Sequence, residues 1–139
     1  MIAFDTNVVV RLIVQDDKAQ AELARRVLEE ACEAGERCFL SDPVLCELEW
    51  VLDSVYGASR QDILAAVQDL VSRDIFLFED HDALCRALDA YDRGKGDLSD
   101  YLIGAKGQAR GARAIFTFDR ALRDQAGFVV LKGLIRMPF

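Results

Sequence analysis

Five short, mostly apolar runs punctuate the chain: residues 1–4, 37–40, 75–78, 114–118 and 128–131. Helical periodicity separates the first four, and a short turn separates the last two. Runs of this length, apolar rather than alternating, suit strands covered on both faces, and strands that alternate with helices pair in parallel. The predicted class is therefore α/β, with a mainly parallel sheet flanked by helices on both faces.

The intervening segments carry ordinary helix punctuation. Val8-Val9-Val10 and Leu12-Ile13 predict a largely buried helix reaching about Val14. Asp16 and Asp17 are cap residues for a second helix, whose stripe is Leu23, Val27, Leu28 and Ala31 and whose stop is Gly35. Asp42-Pro43 begins a third helix that continues through Val44, Leu48, Val51, Leu52 and Val55 to Gly57. Ser59 opens a fourth, with Ile63, Leu64, Val67, Leu70 and Val71. Leu84, Ala87, Leu88 and Tyr91 mark a fifth before the Gly94-Lys95-Gly96 break, and Leu98 to about Arg110 is a sixth. With no internal repeat, low-complexity tract or linker in its 139 residues, the chain reads as a single domain over 1–139.

Composition removes several alternatives. No apolar run reaches the roughly 18 residues that a membrane span needs, and no basic leader precedes Asp5, so a cytoplasmic protein is expected. Cys32, Cys38, Cys46 and Cys85 lack zinc-site spacing and are predicted core thiols. His81 is the single histidine. A ribonuclease mechanism built on two histidines is thereby excluded, and His81 itself, beside Glu79, Asp80 and Asp82, reads as surface. The net charge of −7 repels nucleic acid at long range, although part of it comes from the acids considered next.

Carboxylates recur at Asp5, Glu47, Asp97, Asp100 and Asp119 in matching surroundings. Asp5 and Asp119 each follow an apolar strand, at the edge where open parallel sheets build their functional crevice. Asp97 and Asp100 stand three apart at the start of a helix, near its positive end. Each also has a local explanation as a helix cap or first-turn residue. Glu47 and Glu49 border the same apolar stripe and periodicity barely separates them, with Asp53 four residues on making Glu49 the more solvated choice. Brought together, such acids would repel one another severely unless a cation intervened, and an all-oxygen set favours Mg²⁺ or Mn²⁺.

The segments Met1-Ile2-Ala3-Phe4-Asp5-Thr6-Asn7, Ser41-Asp42-Pro43-Val44-Leu45-Cys46-Glu47-Leu48, Asp97-Leu98-Ser99-Asp100-Tyr101-Leu102-Ile103-Gly104 and Ile115-Phe116-Thr117-Phe118-Asp119 together resemble the PIN-domain nucleases, and most closely the VapC-type ribonuclease toxins of toxin–antitoxin pairs. The resemblance covers nearly the whole chain. It implies a twisted five-stranded parallel sheet and a Mg²⁺ or Mn²⁺ site with Asp5 and Asp100 as principal ligands. Glu47 and Asp119 would complete the acidic cluster, and Asp97 would be secondary. Thr6, Asn7, Ser41 and Thr117 match the family's supporting polar positions. Tyr101 departs from the pattern, standing where a smaller residue is common, and is expected to narrow the crevice.

The implied reaction is metal-dependent hydrolysis of RNA, with Glu47 or Asp119 orienting or deprotonating the attacking water. Arg11, Arg93, Lys95, Arg120 and Arg123 flank the acidic motifs and are the candidate RNA contacts. The resemblance also implies a homodimer and a VapB-like antitoxin. Residues 63–71 and the tail residues Leu134, Ile135, Met137 and Phe139 are candidate partner surfaces, with core packing the equal alternative. Two rival functions are a non-catalytic PIN-like module that binds RNA or protein, and a phosphatase-type domain with Asp5 as nucleophile. Asn7 stands where the second of these usually has an aspartate.

Overall fold

The computed structural model describes residues 1–133, so the expectation for the tail from Leu134 onward lies outside the described residues. The chain divides into two compact units, Met1–His81 and Asp82–Phe139.

In the first unit, β1 (Ile2–Ala3) leads to α1 (Thr6–Ile13) and α2 (Lys18–Glu33), and β2 (Cys38–Leu40) leads to α3 (Asp42–Ser54) and α4 (Arg60–Ser72), before β3 (Phe76–Phe78). The strands pair in parallel in the order β1-β2-β3, with Ile2 opposite Cys38 and Cys38 opposite Phe76. Two helices fill each crossover. Asp17 caps α2 by accepting the Gln20 N–H at 3.0 Å, and Ser59 caps α4 by accepting the Asp62 N–H at 3.1 Å. At the end of α3 the chain turns at Gly57, whose φ of 63° suits a residue without Cβ, and the Ala58 N–H reaches back to the Leu52 carbonyl at 2.9 Å.

The core here is Val9, Val10, Cys38, Leu40, Leu45, Leu48, Leu52, Ile63, Leu64, Val67, Leu70 and Phe76, all buried. α1 packs on α2 and α3, and α3 on α4. Burial of Ile63, Leu64, Val67 and Leu70 makes that face of α4 a packing face within the chain. The α2 stripe is different, for Leu23 and Val27 are exposed. They line an apolar cleft of about 520 Å³ with Phe4, Asn7, Val8 and Arg11. Cysteine burial also departs from expectation. Cys38 is buried, which pushes its thiol up to about 11, and Cys46 and Cys85 are half-buried, but Cys32 is exposed on α2.

The second unit contains α5 (His81–Arg93, whose first residue belongs to the preceding unit), α6 (Leu98–Ala109), β4 (Ile115–Thr117), a 3₁₀ turn (Arg120–Leu122) and β5 (Phe128–Val130). β4 and β5 pair in parallel, Ile115 opposite Phe128 and Thr117 opposite Val130. Tyr101 and Phe128 meet edge to face, with ring centroids 6.3 Å apart.

Among the described residues, the α/β class, the five strands and their parallel pairing agree with the sequence reading, but the strands fall into sheets of three and two. Each strand is only two or three residues long, so the pairing that joins them is sparse. Among the described residues, no helix is long and apolar enough to cross a membrane.

Candidate functional site

Asp5 follows β1 and sits just before α1. It is exposed, and its Oδ1 accepts the Thr6 N–H at 2.7 Å, so it caps the helix through one oxygen. Thr6 is buried, and its hydroxyl donates to Oε2 of Glu47 at 2.6 Å, a short bond of the kind a charged acceptor makes. One threonine therefore holds two carboxylates, Asp5 through its main chain and Glu47 through its side chain. The fold explains the meeting. α1 follows β1, α3 follows the neighbouring parallel strand β2, and the two helices pack together.

Glu47 is exposed, whereas Glu49 is buried among Leu45, Leu48 and Leu52. This corrects the expectation that Glu49 is the more solvated acid. The buried stripe runs 45, 48, 49, 52, so Glu49 lies on it and Glu47 beside it. Ser41 occupies the cap position of α3 in extended conformation without a side-chain cap bond, and Asn7 is exposed in the first turn of α1.

The second unit presents Asp97, Asp100 and Asp119. Asp97 is the cap residue of α6, and its N–H donates to Oδ2 of Asp100 at 3.0 Å, the return bond of a capping box. Asp119 begins the 3₁₀ turn: its Oδ1 accepts the Ala121 N–H at 2.8 Å, and its own N–H donates to the Thr117 hydroxyl at 3.0 Å. Thr117 thus braces Asp119 from the strand before it.

Asp100 is half-buried, and its carboxyl is pushed above the usual range. Burial is the main cause, and the negative charges of Asp97 and Asp119 add to it, while the bond from the Asp97 N–H works the other way. An acid disfavoured as an anion by both desolvation and like charge is one whose surroundings favour a cation.

The five candidate acids thus form two sets, each held within its own unit. Every donor in them is carboxylate oxygen, which matches a hard divalent cation by chemistry. Among the described residues, no three or more His, Cys, Asp or Glu side chains form a group that could hold a metal ion as they stand.

Of the candidate RNA contacts, Arg11 is the most engaged, donating to Gln20 at 2.7 Å and to Asp16 and Tyr56 at 3.0 Å each. Those bonds tie α1 to the α1–α2 connection, to α2 and to the end of α3. Arg93, Lys95, Arg120 and Arg123 are exposed, the first two just before Asp97 and the last two just after Asp119. His81 is exposed with its ring 6.5 Å from that of Phe78, as a surface residue should be.

Tyr101 is buried in the second unit, and its hydroxyl accepts the Gly96 N–H at 3.0 Å. Its helical spacing with Leu98, Leu102 and Ala105 marks this buried face of α6 in the sequence.

A PIN domain family model matches residues 2–127. The chain is 24% identical over 123 residues to a VapC ribonuclease of Aquifex aeolicus (strain VF5), covering 88% of this chain and 90% of that relative. No solved structure matches.

Proposed function

This chain belongs to the PIN domain family, and from that premise we propose that it is a metal-dependent endoribonuclease, the toxin of a VapBC-type toxin–antitoxin pair. The observation that carries the proposal is the family match over residues 2–127 together with the 24% identity to a VapC ribonuclease over nearly the whole of both chains. The relative's activity gives the substrate class, RNA.

Asp5 and Asp100 would hold the ion, Glu47 and Asp119 would complete the set, and Asp97 would stand at its margin. Bound Mg²⁺ or Mn²⁺ supplies a counter-charge for phosphate and lowers the pKa of water. The chain's own groups do the rest. Glu47 is held by the Thr6 hydroxyl through Oε2, and Asp119 by the Ala121 N–H through Oδ1, so each is an oriented carboxylate fit to align a water or accept its proton. Arg93, Lys95, Arg120 and Arg123 form a local basic rim that steers the RNA backbone despite the net charge of −7.

The family match runs through both compact units, which supports reading 1–139 as one functional domain. A homodimer, a VapB-like antitoxin and a cytoplasmic location complete the proposal. Light scattering tests the dimer, with a monomer at all concentrations as the refuting result. For the enzyme, purified protein should cut RNA when Mg²⁺ or Mn²⁺ is added and stop when the ion is chelated. Cleavage that persists in chelator would refute metal dependence.

A further inference from the structure

The end of β4 carries an exposed aromatic pair. Phe116 is exposed within the strand, and Phe118 is 81% exposed, more than any other large apolar side chain among the described residues. Residues two apart on an extended chain share a face. The backbone beneath them is braced. The Leu131 N–H donates to the Thr117 carbonyl at 2.8 Å, the Asp119 N–H to the Thr117 hydroxyl at 3.0 Å and the Ala121 N–H to Asp119 at 2.8 Å, while Leu122 in the turn that follows is buried. Phe118 is thus an uncovered ring on a fixed support. Asp119, a proposed site acid, follows it directly, and the exposed Arg120 and Arg123 stand at the two ends of the 3₁₀ turn. Trp50, also highly exposed, has the opposite setting: α3 bears Asp42, Glu47, Glu49 and Asp53 and no basic residue, so it repels a polyanion.

We infer that Phe118 is an RNA-contacting residue, a platform on which one unpaired nucleobase stacks while Arg120 and Arg123 hold the flanking phosphates. The inference rests on the ribonuclease reading above and narrows the substrate to a single-stranded segment, because a base inside a duplex keeps its faces on its neighbours. A phenyl ring offers a π-face that any base can cover, and the guanidinium groups beside it supply the counter-charge for the backbone. A protein partner would call for a wider apolar patch. Here the turn beside the rings is basic and polar, and a ligand both aromatic and anionic is a nucleotide chain. Stacking at Phe118 anchors that chain directly beside Asp119.

The test is binding of a labelled single-stranded RNA of mixed sequence to the intact chain, followed by fluorescence anisotropy in chelator, where affinity is read apart from metal-dependent cleavage. Phe118→Ala should bind at least about fivefold more weakly, Phe118→Leu should weaken similarly because it keeps apolar bulk without a π-face, and Phe118→Tyr should stay within about twofold of wild type. The salt dependence of binding should be the same in Phe118→Ala as in wild type, since stacking neutralises no phosphate. Trp50→Ala, which removes an exposed aromatic from the acidic helix, should bind as wild type does. Trp50 is the single tryptophan, so in a Trp50→Phe background Phe118→Trp places the indole at the platform, and RNA should quench its emission. If Phe118→Ala fails to fold, Phe118→Leu stands in for it. Wild-type affinity in the variant used, equal weakening in Trp50→Ala, or emission that RNA leaves unchanged overturns the stacking role while leaving the ribonuclease reading intact. A change of mass by light scattering with RNA affinity kept also overturns it, and marks the ring as a protein contact. A wild type that cuts RNA in Mn²⁺ yet binds none in chelator overturns it as well. One that neither binds nor cuts RNA removes the ribonuclease reading and this inference with it.

Discussion

The hydroxyl of Thr6 donates to Glu47 at 2.6 Å across 41 positions of sequence. It is a long-range polar bond that joins the first turn of α1 to α3, and the main-chain N–H of the same residue donates to the helix cap Asp5. Thr6→Val keeps the buried volume close to the original and removes the donor. A hydrogen bond to a charged group contributes about 1.5–3 kcal/mol, and an exposed acceptor takes the lower end of that range. Denaturant unfolding should show a loss of about 1.5 kcal/mol. RNA cleavage should fall by about tenfold, because Glu47 loses the bond that orients it. Unchanged cleavage would show that this orientation is dispensable.

Asp100 is disfavoured as an anion, so its removal should stabilise the metal-free fold. Its pKa in the folded chain lies above the ordinary 3.8, so the folded state holds that proton more tightly than the unfolded state does. The associated stability is full below 3.8 and is lost as pH rises through the folded pKa. In chelator, Asp100→Asn should therefore melt above wild type at neutral pH, with the gap closing as pH falls towards 3.8. Asparagine retains an oxygen for the Asp97 N–H, so the cap is kept. A variant that melts below wild type at neutral pH would contradict this sign.

Metal should reverse that ranking. A ligand that binds only the folded state adds about 2.7 kcal/mol at a hundred times its dissociation constant. Saturating Mn²⁺ should raise the melting temperature of wild type and leave Asp100→Asn where it was. An equal rise in both proteins would place the ion elsewhere.

The basic residues should separate by role. Removing Arg120 and Arg123 together should raise KM for RNA and flatten the salt dependence of kcat/KM, the slope falling by roughly 0.7 for each phosphate that an arginine no longer neutralises. Arg11→Ala should chiefly lower the melting temperature, since its guanidinium holds Gln20, Asp16 and Tyr56. A salt slope that falls in Arg11→Ala and stays fixed in the double variant would reverse the assignment.

The fold class was legible because strand runs such as residues 37–40 and 75–78 are short, mostly apolar and flanked by helix-start signals at Asp17, Asp42-Pro43 and Ser59, although Ser41 and not Asp42 takes the cap position of α3. The division of the strands into sheets of three and two was not, since pairing between strands of two or three residues is decided by tertiary placement that periodicity does not encode. Leu23 and Val27 show the same limit, for a helical stripe marks an apolar face without saying what covers it. At the candidate site, Asp5, Asp97 and Asp119 announced themselves by following a strand or opening a helix, and each does act as a cap residue. Glu47 and Glu49 were hard to separate because the predicted stripe joined Val44, Val51 and Val55 to Leu48 and Leu52, whereas the buried line runs through Leu45, Leu48, Glu49 and Leu52. Tyr101 was legible as a member of the apolar face of α6 with Leu98, Leu102 and Ala105, but its partners were not, because Gly96 precedes the helix and Phe128 lies far along the chain.

The proposed nuclease requires that carboxylates of this chain hold the divalent ion on which RNA cleavage depends. Its most direct test follows cleavage of a labelled RNA by wild type, Asp5→Asn and Asp100→Asn side by side in Mn²⁺, with folding of each confirmed by circular dichroism. Wild type should cut, and both variants should lose at least about a hundredfold in rate, on the scale of about 2.7 kcal/mol of transition-state stabilisation. Wild-type rates in either folded variant would contradict it.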